Sequence, residues 1–173
     1  MGTVVLNGAT SGSTTIQPTD AVTVTLTLPS ATGTLMGTGN MPAFSAYQSS
    51  AQALTAFAFT KIQFQTKEFD TSNAFDNATN YRFTPLVAGY YSVNAAIYAG
   101  TASQLILQIY KNGSNFKQIF WTATTAQVAS GNALIFMNGS TDYLEIYGNS
   151  SVSQSLTANA SSTFFQAVLV RSA

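Results

Sequence analysis

Residues 64–95 read FQTKEFDTSNAFDNATNYRFTPLVAGYYSVNA, and this stretch contains the most informative pattern of the chain. After Gly89, the apolar residues Tyr91, Val93 and Ala95 come at every second position, which is the period of a β-strand. Gly89 has no Cβ and therefore permits a sharp entry into that strand. We predict a strand from residue 89 that turns Tyr91 into the core; a ligand-binding role for Tyr91 is the alternative.

The aromatic residues of this stretch follow a known spacing: an aromatic, five residues, Asp or Asn, four residues, an aromatic, six residues, Phe, five residues, then Gly-x-Tyr-x-Phe-x-aromatic. The residues that fill it are Phe64, Asp70, Phe75, Phe83, Gly89 and Tyr91. Seven residues rather than six precede Phe83, and smaller side chains replace the last two aromatics. The stretch resembles the globular head of the first complement component's q subunit, which shares the jelly roll of tumour necrosis factor.

Short strands are predicted on both sides of this stretch. The candidate ranges are 43–47, 57–66, 80–84, 89–98, 104–111, 116–123, 132–137, 142–147 and 163–170. Asn112-Gly113 and Asn138-Gly139 each separate two candidates and predict tight hairpins. Residues 49–55 are compatible with at most a short helical turn. Many short strands divided by turn residues indicate an all-β sandwich or barrel.

The resemblance covers residues 43–173, including the opening and the last strand. It implies an antiparallel, ten-stranded jelly-roll sandwich that assembles as a trimer. It also implies a shared role for five residues as the core of the fold or of the trimer: Phe64, Phe75, Phe83, Gly89 and Tyr91.

Residues 1–42 differ in composition and are expected to form a short β appendage. They contain no Phe, Tyr or Trp, and Asp20 is their one charged residue. Apolar and polar residues alternate without a break from Val22 to Leu28, and residues 3–6 are a second strand candidate. The segment resembles the Gly- and Thr-rich β repeats that precede the tips of phage tail fibres.

The chain carries very few charges. Only 7% of its residues are charged, against roughly 25% in typical soluble domains, and the net charge is zero. No basic run is present to neutralise phosphates, so nucleic acid is not an expected partner. No apolar run approaches the roughly 20 residues of a membrane span, and no signal peptide is recognisable. A near-neutral surface favours association.

The residue types exclude most catalytic arrangements. Histidine and cysteine are absent, which removes the usual triads and thiol nucleophiles. Glu68 and Asp70 are two residues apart, as a pair of acids on one strand face requires, but Lys67 and Thr71 flank them and favour a solvated rim. We expect no catalytic residue, no cofactor site and no enzyme activity.

Calcium is the one metal that the sequence suggests. Oxygen-bearing side chains cluster at Asp70, Asn73, Asp76, Asn77 and Asn80, and calcium prefers such ligands. Clusters of Asn and Asp also form ordinary turns. We expect a turn with no resident metal, and Asp70 and Asp76 would be the calcium ligands if the alternative held.

Two sets of residues are candidates for ligand binding. Trp121, with Tyr98, Tyr110, Phe116 and Phe120, suggests a platform for sugars, although these rings equally suit the core or a trimer axis. The second set lies in two polar segments, 99–103 and 149–153, which we expect to be outward-facing loops. Its candidate ligand residues are Gly100, Thr101, Ser103, Asn149, Ser150 and Ser151.

Taken together, the sequence predicts a recognition protein that acts as a homotrimer. The leading hypothesis is the C-terminal tip of a phage-type tail fibre or virion protein that contacts a host surface glycan. A structural trimerisation cap without a ligand of its own is the alternative, followed by a cytokine-like ligand. The expected location is the virion or another extracellular surface.

Overall fold

A computed structural model gives the structure of residues 4–7, 11–16, 37, 39, 41–102 and 104–173. The chain divides into two compact units, Met1–Thr34 and Leu35–Ala173. Throughout the described residues the regular structure is β, and no helix there is long and apolar enough to cross a membrane. The predicted division into residues 1–42 and 43–173 stays a prediction.

The strands are short in the first unit and of mixed length in the second. They are β1 Val4–Asn7, β2 Ser13–Ile16, β3 Ala43–Tyr47, β4 Gln52–Leu54, β5 Thr60–Lys61, β6 Thr66–Asp70, β7 Phe75–Asp76, β8 Arg82–Phe83, β9 Gly89–Ala102, β10 Leu105–Lys111, β11 Ser114–Thr122, β12 Ala126–Met137, β13 Leu144–Ser150, β14 Gln154–Leu156 and β15 Phe164–Ser172.

Two antiparallel sheets make up the second unit. The five-stranded sheet has the order β12-β9-β15-β3-β6. The six-stranded sheet has the order β11-β10-β13-β8-β7, and β5 also pairs with β13. Strands β4 and β14 form a small separate pair. The sheets pack face to face as an all-β jelly-roll sandwich, which is the predicted fold class. Several of the strands hold only two or three residues, so the described part of the unit contains more strands than the ten implied.

In the first unit, β1 pairs with β2 as an antiparallel ribbon. The predicted strand at residues 3–6 corresponds to β1, and β2 carries no alternation of apolar residues that would have predicted it. The other predicted strand, residues 22–28, lies outside the described residues.

The strand prediction differs from the structure at several places in the second unit: β7 and β14 were not predicted, β12 begins at Ala126 rather than at residue 132, and two further segments were wrong. The predicted strand 57–66 is two strands, β5 and β6, separated by a segment without regular structure. Residues 49–55 contain β4 rather than a helical turn. Strands β4 and β5 are short and pair with only two or three residues of their neighbours. So few residues do not produce a periodic pattern.

The two Asn-Gly turns behave differently. Asn112 and Gly113 have φ angles of 54° and 78° and join the paired strands β10 and β11, as expected for a tight hairpin. The predicted hairpin at Asn138-Gly139 is wrong, because β12 and β13 belong to different sheets. There the Asn138 Oδ1 accepts hydrogen bonds from three successive backbone N–H groups, so the turn carries the chain between sheets.

Phenylalanine rings from both sheets meet in the core. Phe44 on β3 stacks on Phe75 and Phe83, with ring centroids 4.7 Å and 4.6 Å apart. Phe165 on β15 meets Phe44 edge-on at 4.9 Å. Phe64 is fully buried and lies 5.7 Å from Phe165. Because β7 and β8 belong to the six-stranded sheet, these contacts join the two layers.

The strand that opens at Gly89 has one buried face. Tyr91, Val93 and Ala95 are all buried, and the Tyr91 hydroxyl donates a hydrogen bond to the Val87 carbonyl at 2.8 Å. Burial raises the pKa of Tyr91 to about 12. A Cβ at Gly89 would lie 2.3 Å from the backbone oxygen of Arg171, so glycine is required there by close packing.

The extra residue between Phe75 and Phe83 does not disturb the pairing of β7 with β8. Phe75 is directly opposite Phe83, and the added length lies in the turn between them. The departure from the family spacing is therefore absorbed outside the core.

Replacing Tyr91 with alanine tests this core. We expect Tyr91→Ala to lower the free energy of unfolding by roughly 3–5 kcal/mol, as for other large buried aromatics. Tyr91→Phe keeps the ring and loses one hydrogen bond, so about 1 kcal/mol is expected. Denaturant unfolding of the three proteins measures both values, and equal stability of parent and alanine variant would contradict the burial of Tyr91.

Candidate functional site

The two segments predicted as ligand loops are mostly strand. Gly100 and Thr101 belong to β9, and Asn149 and Ser150 belong to β13, so the loop prediction was wrong for these four. Ser103 lies outside the described residues. The segments were mispredicted because both strands continue past the apolar residues into Gly, Ser and Thr, which are typical of turns.

The residues directly after the first segment, Gln104 and Leu105, contact the second segment. Leu105, at the start of β10, pairs with Ser150. The Gln104 N–H donates to the Ser151 Oγ at 3.1 Å, and the Ser151 N–H donates to the Gln104 carbonyl at 3.0 Å. Ser150 is fully buried, and its Oγ accepts hydrogen bonds from Val152 N and Gln154 Nε2. Both serines thus have structural partners, and a ligand role for the segments stays a prediction.

Asp70 serves the turn that follows β6. Its carboxylate accepts hydrogen bonds from the Lys67 ammonium and from the N–H groups of Ala74 and Phe75, at 2.9–3.0 Å. Burial alone would raise the pKa of Asp70, but these hydrogen bonds outweigh it and hold the pKa below its usual value.

Asp76 caps the next turn in the same way. It accepts hydrogen bonds from the backbone N–H groups of Thr79, Ala78 and Asn80, and these donors hold its pKa far below the usual range. A groove of about 490 Å³ runs beside it, and Lys67 and Arg82 also line that groove. Two cations oppose the binding of a third. Among the described residues, no group of three or more His, Cys, Asp or Glu side chains could hold a metal ion.

The carboxylates that the sequence placed on one face are separated by a β-bulge. Ser45 pairs with Phe69 and the next residue, Ala46, pairs with Lys67, so Glu68 is the extra residue. The Ser45 hydroxyl donates to Glu68, whereas Asp70 binds Lys67. Each acid therefore has its own partner, and they do not form a pair.

The outer face of the six-stranded sheet carries a set of aromatic and amide side chains. In β10, Leu107 and Ile109 point into the core, so Ile106, Gln108 and Tyr110 point outward. Residues paired with them share that side of the sheet: Trp121 and Asn149 flank Ile106, Gln118 and Tyr147 flank Gln108, and Glu145 lies beside Tyr110. We call six of these residues the tryptophan face: Gln108, Tyr110, Gln118, Trp121, Tyr147 and Asn149.

Only part of the predicted aromatic platform lies on this face. Trp121 is 57% exposed, and the Tyr110 ring stacks on Tyr147 with centroids 3.8 Å apart. Phe120 packs against the core instead, and Tyr98 belongs to the five-stranded sheet. Tyr147 was not predicted for the platform, because only its strand pairing brings it to this face. Burial and then the nearby Glu145 carboxylate raise the pKa of Tyr147, so its phenol is neutral.

The outer face of the five-stranded sheet is different in kind. Five apolar side chains are well exposed at one end of it: Tyr90, Leu134, Phe136, Val168 and Val170. We call these residues the apolar face. They lie on the adjacent strands β12, β9 and β15; Leu134 and Val168 both pair with Ser92, and the Tyr90 and Phe136 rings are 5.4 Å apart. Contiguous exposed apolar residues typically mark an interaction surface.

Comparisons with known proteins identify the fold. No protein-family model matches the sequence, and no curated protein sequence matches it. Three solved structures are similar in fold: murine APRIL (TM-score 0.59, 7% identity, 75% of this chain and 99% of that one), the Eiger TNF of S. frugiperda (0.56, 10%, 77% and 93%), and the globular domain of zebrafish complement 1qA protein (0.53, 19%, 76% and 98%). The predicted jelly roll of the tumour necrosis factor and complement head type is therefore confirmed as a fold.

Chelation tests whether the turns at Asp70 and Asp76 need a metal. Because backbone N–H groups already occupy the carboxylate oxygens, we expect excess EDTA to leave the melting temperature unchanged. Asp76→Ala removes three backbone hydrogen bonds and should lower the melting temperature with or without EDTA. A loss of several degrees in EDTA that calcium restores would contradict this assignment.

Proposed function

We propose that this chain is a non-enzymatic recognition module that works as a homotrimer at the tip of a phage-type tail fibre or virion protein. In this proposal it contacts a glycan on the host surface, and it acts outside the cell. The fold supports the general class, because jelly rolls of this type form the structures of APRIL, Eiger and the complement 1qA globular domain.

The apolar face is the observation that carries the assembly. Leu134, Phe136 and Val170 are 43–61% exposed on a chain with few charges to keep copies apart. Such a surface gains free energy when it is covered, at about 25 cal/mol per Å² of apolar area. The resemblance to the complement head favours three copies.

A row of polar side chains beside the apolar face supports a specific rather than a loose association. Asn132, Asn94, Gln166 and Ser45 are paired across four neighbouring strands. The Gln166 Nε2 donates to the Ser45 Oγ at 3.0 Å, and that hydroxyl donates to Glu68. Buried polar groups must find partners, so a row of this kind permits only certain arrangements of the copies.

The fibre hypothesis rests on residues 1–42. Their Gly- and Thr-rich composition resembles shaft repeats, and β1 with β2 forms a short antiparallel ribbon. Isolated two-stranded ribbons are marginally stable in water, which favours pairing with copies in a fibre. The alternative function is a structural trimerisation cap, which requires the apolar face but no ligand.

Assembly can be tested by charging the apolar face. We expect the parent protein to scatter light as a trimer of 54.6 kDa, three times the chain mass of 18.2 kDa. The double variant Leu134→Glu, Val168→Glu should be a folded monomer, because two buried charges oppose the interface. Leu86→Glu is the control, since Leu86 is exposed on a connection outside this face. A parent protein of monomeric mass would contradict the trimer.

Glycan arrays separate the recognition tip from the cap, because a cap binds none of the printed glycans. For the tip we expect binding that is unchanged between low salt and about 0.5 M salt, since no contact depends on long-range charge attraction. The monomeric double variant should bind about 100-fold more weakly, because linked sites raise apparent affinity by that order. Binding that is lost at high salt would contradict a neutral contact surface.

A further inference from the structure

Trp121 is a large aromatic side chain that is exposed to solvent. It lies near the end of β11, the edge strand of the six-stranded sheet, and more than half of its surface is exposed. Its indole N–H has no hydrogen-bond partner within the described residues. Burial of an aromatic ring of this size is strongly favourable, so an exposed tryptophan on a sheet face that also carries Tyr110 and Tyr147 indicates a surface that a ligand covers.

Polar groups without protein partners lie on the same side of the sheet as this indole. Among the described residues, the Gln118 Nε2 and the hydroxyls of Tyr110 and Tyr147 make no hydrogen bond to the protein. The Asn149 amide makes none either, but Asn149 is only 4% exposed. The Gln108 Nε2 donates to Gln118 Oε1 at 3.3 Å, but the Gln108 Oε1 is buried with no partner, and Gln108 is only 5% exposed. Native proteins rarely leave such an oxygen unpaired, so this part of the face lacks a hydrogen-bond donor.

The charges near the face restrict the chemistry of the ligand. The one acid among the outward residues of β10 and β13 is Glu145, and its carboxylate is paired with Lys61 at 2.9 Å. The Lys61 charge on β5 is neutralised by this pair. Arg82 on β8 lies over the Tyr143 ring at 4.5 Å, and β8 is separated from β11 by two strands, so it is not placed beside Trp121 to attract sulfate, phosphate or carboxylate. Hydroxyl groups are the natural partners of amides and phenols, and an aromatic face offers a flat apolar surface for the ring of a sugar.

We propose that the tryptophan face binds a neutral glycan, with one sugar ring stacked on Trp121 and its neighbour hydrogen-bonded by the exposed amide of Gln118. This inference rests on the proposed recognition function and names its site and its ligand class. Strands are about 4.8 Å apart, so β11, β10 and β13 together present a strip suited to an oligosaccharide rather than to one sugar. A second copy of the chain is better suited to the apolar face, which has the larger exposed aliphatic surface.

The single tryptophan of the chain makes the site directly observable. We would titrate the parent protein with a neutral glucan, mannan and galactan and record tryptophan emission. At least one of them should shift the emission to shorter wavelength and saturate, because stacking removes water from the indole. Dextran and dextran sulfate form a matched pair, and the sulfated polymer should bind no better than the neutral one.

Variants locate the contact. Trp121→Ala should weaken binding about tenfold or more, as expected for a tryptophan at the centre of a contact, and Trp121→Phe should keep part of the affinity. Phe116→Ala is the control on the same strand: the Lys111 Nζ lies 5.7 Å from the Phe116 ring and 5.9 Å from that of Phe136 on the other sheet. Its ring therefore faces β12 and not the tryptophan face, and this variant should bind like the parent.

Several results would overturn the proposal. One such result is that the Trp121→Ala variant retains array binding while the glycan leaves the tryptophan emission of the parent protein unchanged. In that case the proposed recognition function stands and this site is wrong. If neither the array nor the titrations show a glycan that binds, both the proposed recognition function and this site are wrong. A preference for dextran sulfate indicates an anion site instead, and an emission shift with protein concentration alone indicates that a second copy covers the face.

Discussion

Stacked phenylalanine rings hold the two sheets together without any covalent link. Phe44 from the five-stranded sheet lies between Phe75 and Phe83 of the six-stranded sheet, and Phe165 closes the group edge-on. The chain has no cysteine, so this packing and the apolar core around it must offset the conformational entropy lost on folding. Because the rings fix which side of each sheet faces inward, they also decide which residues the two outer faces present.

Sequence reasoning found the parts of this arrangement that depend on local pattern. The alternation from Gly89 to Ala95 predicted a buried strand face, and Asn112-Gly113 predicted a hairpin because a tight turn needs only its own two residues. Asn138-Gly139 has the same letters but links different sheets, since the outcome there depends on where β13 pairs. In β10, the outward residues Ile106 and Gln108 are buried like their inward neighbours. The apolar run of this strand therefore does not show which side of it faces outward.

The tryptophan face was beyond prediction for a related reason. Trp121 and Gln118 are three residues apart and would point to opposite sides of a regular strand. Opposite Leu107 and Gln108 of β10, strand β11 has a bulge in which Ile119 is the extra residue. This one-residue shift returns both side chains to the same side. A sequence pattern with a period of two misses such a shift.

The same bulge depends on a glycine in the opposite sheet. A Cβ at Gly131 on β12 would lie 2.2 Å from the Ile119 carbonyl oxygen, so only glycine leaves room for the bulged backbone. Gly131 is thus a packing residue inside a strand rather than a turn residue. It pairs with Ala95 of β9, one position from the pair that Asn132 makes with Asn94 in the polar row of the five-stranded sheet. One strand therefore contributes to the proposed assembly surface and supports the strand that carries Trp121. If three copies associate through the five-stranded sheets, the six-stranded sheets remain outside with three repeats of the tryptophan face. Weak neutral contacts on each repeat then act together, which is how a surface with so few charges can hold a polymer.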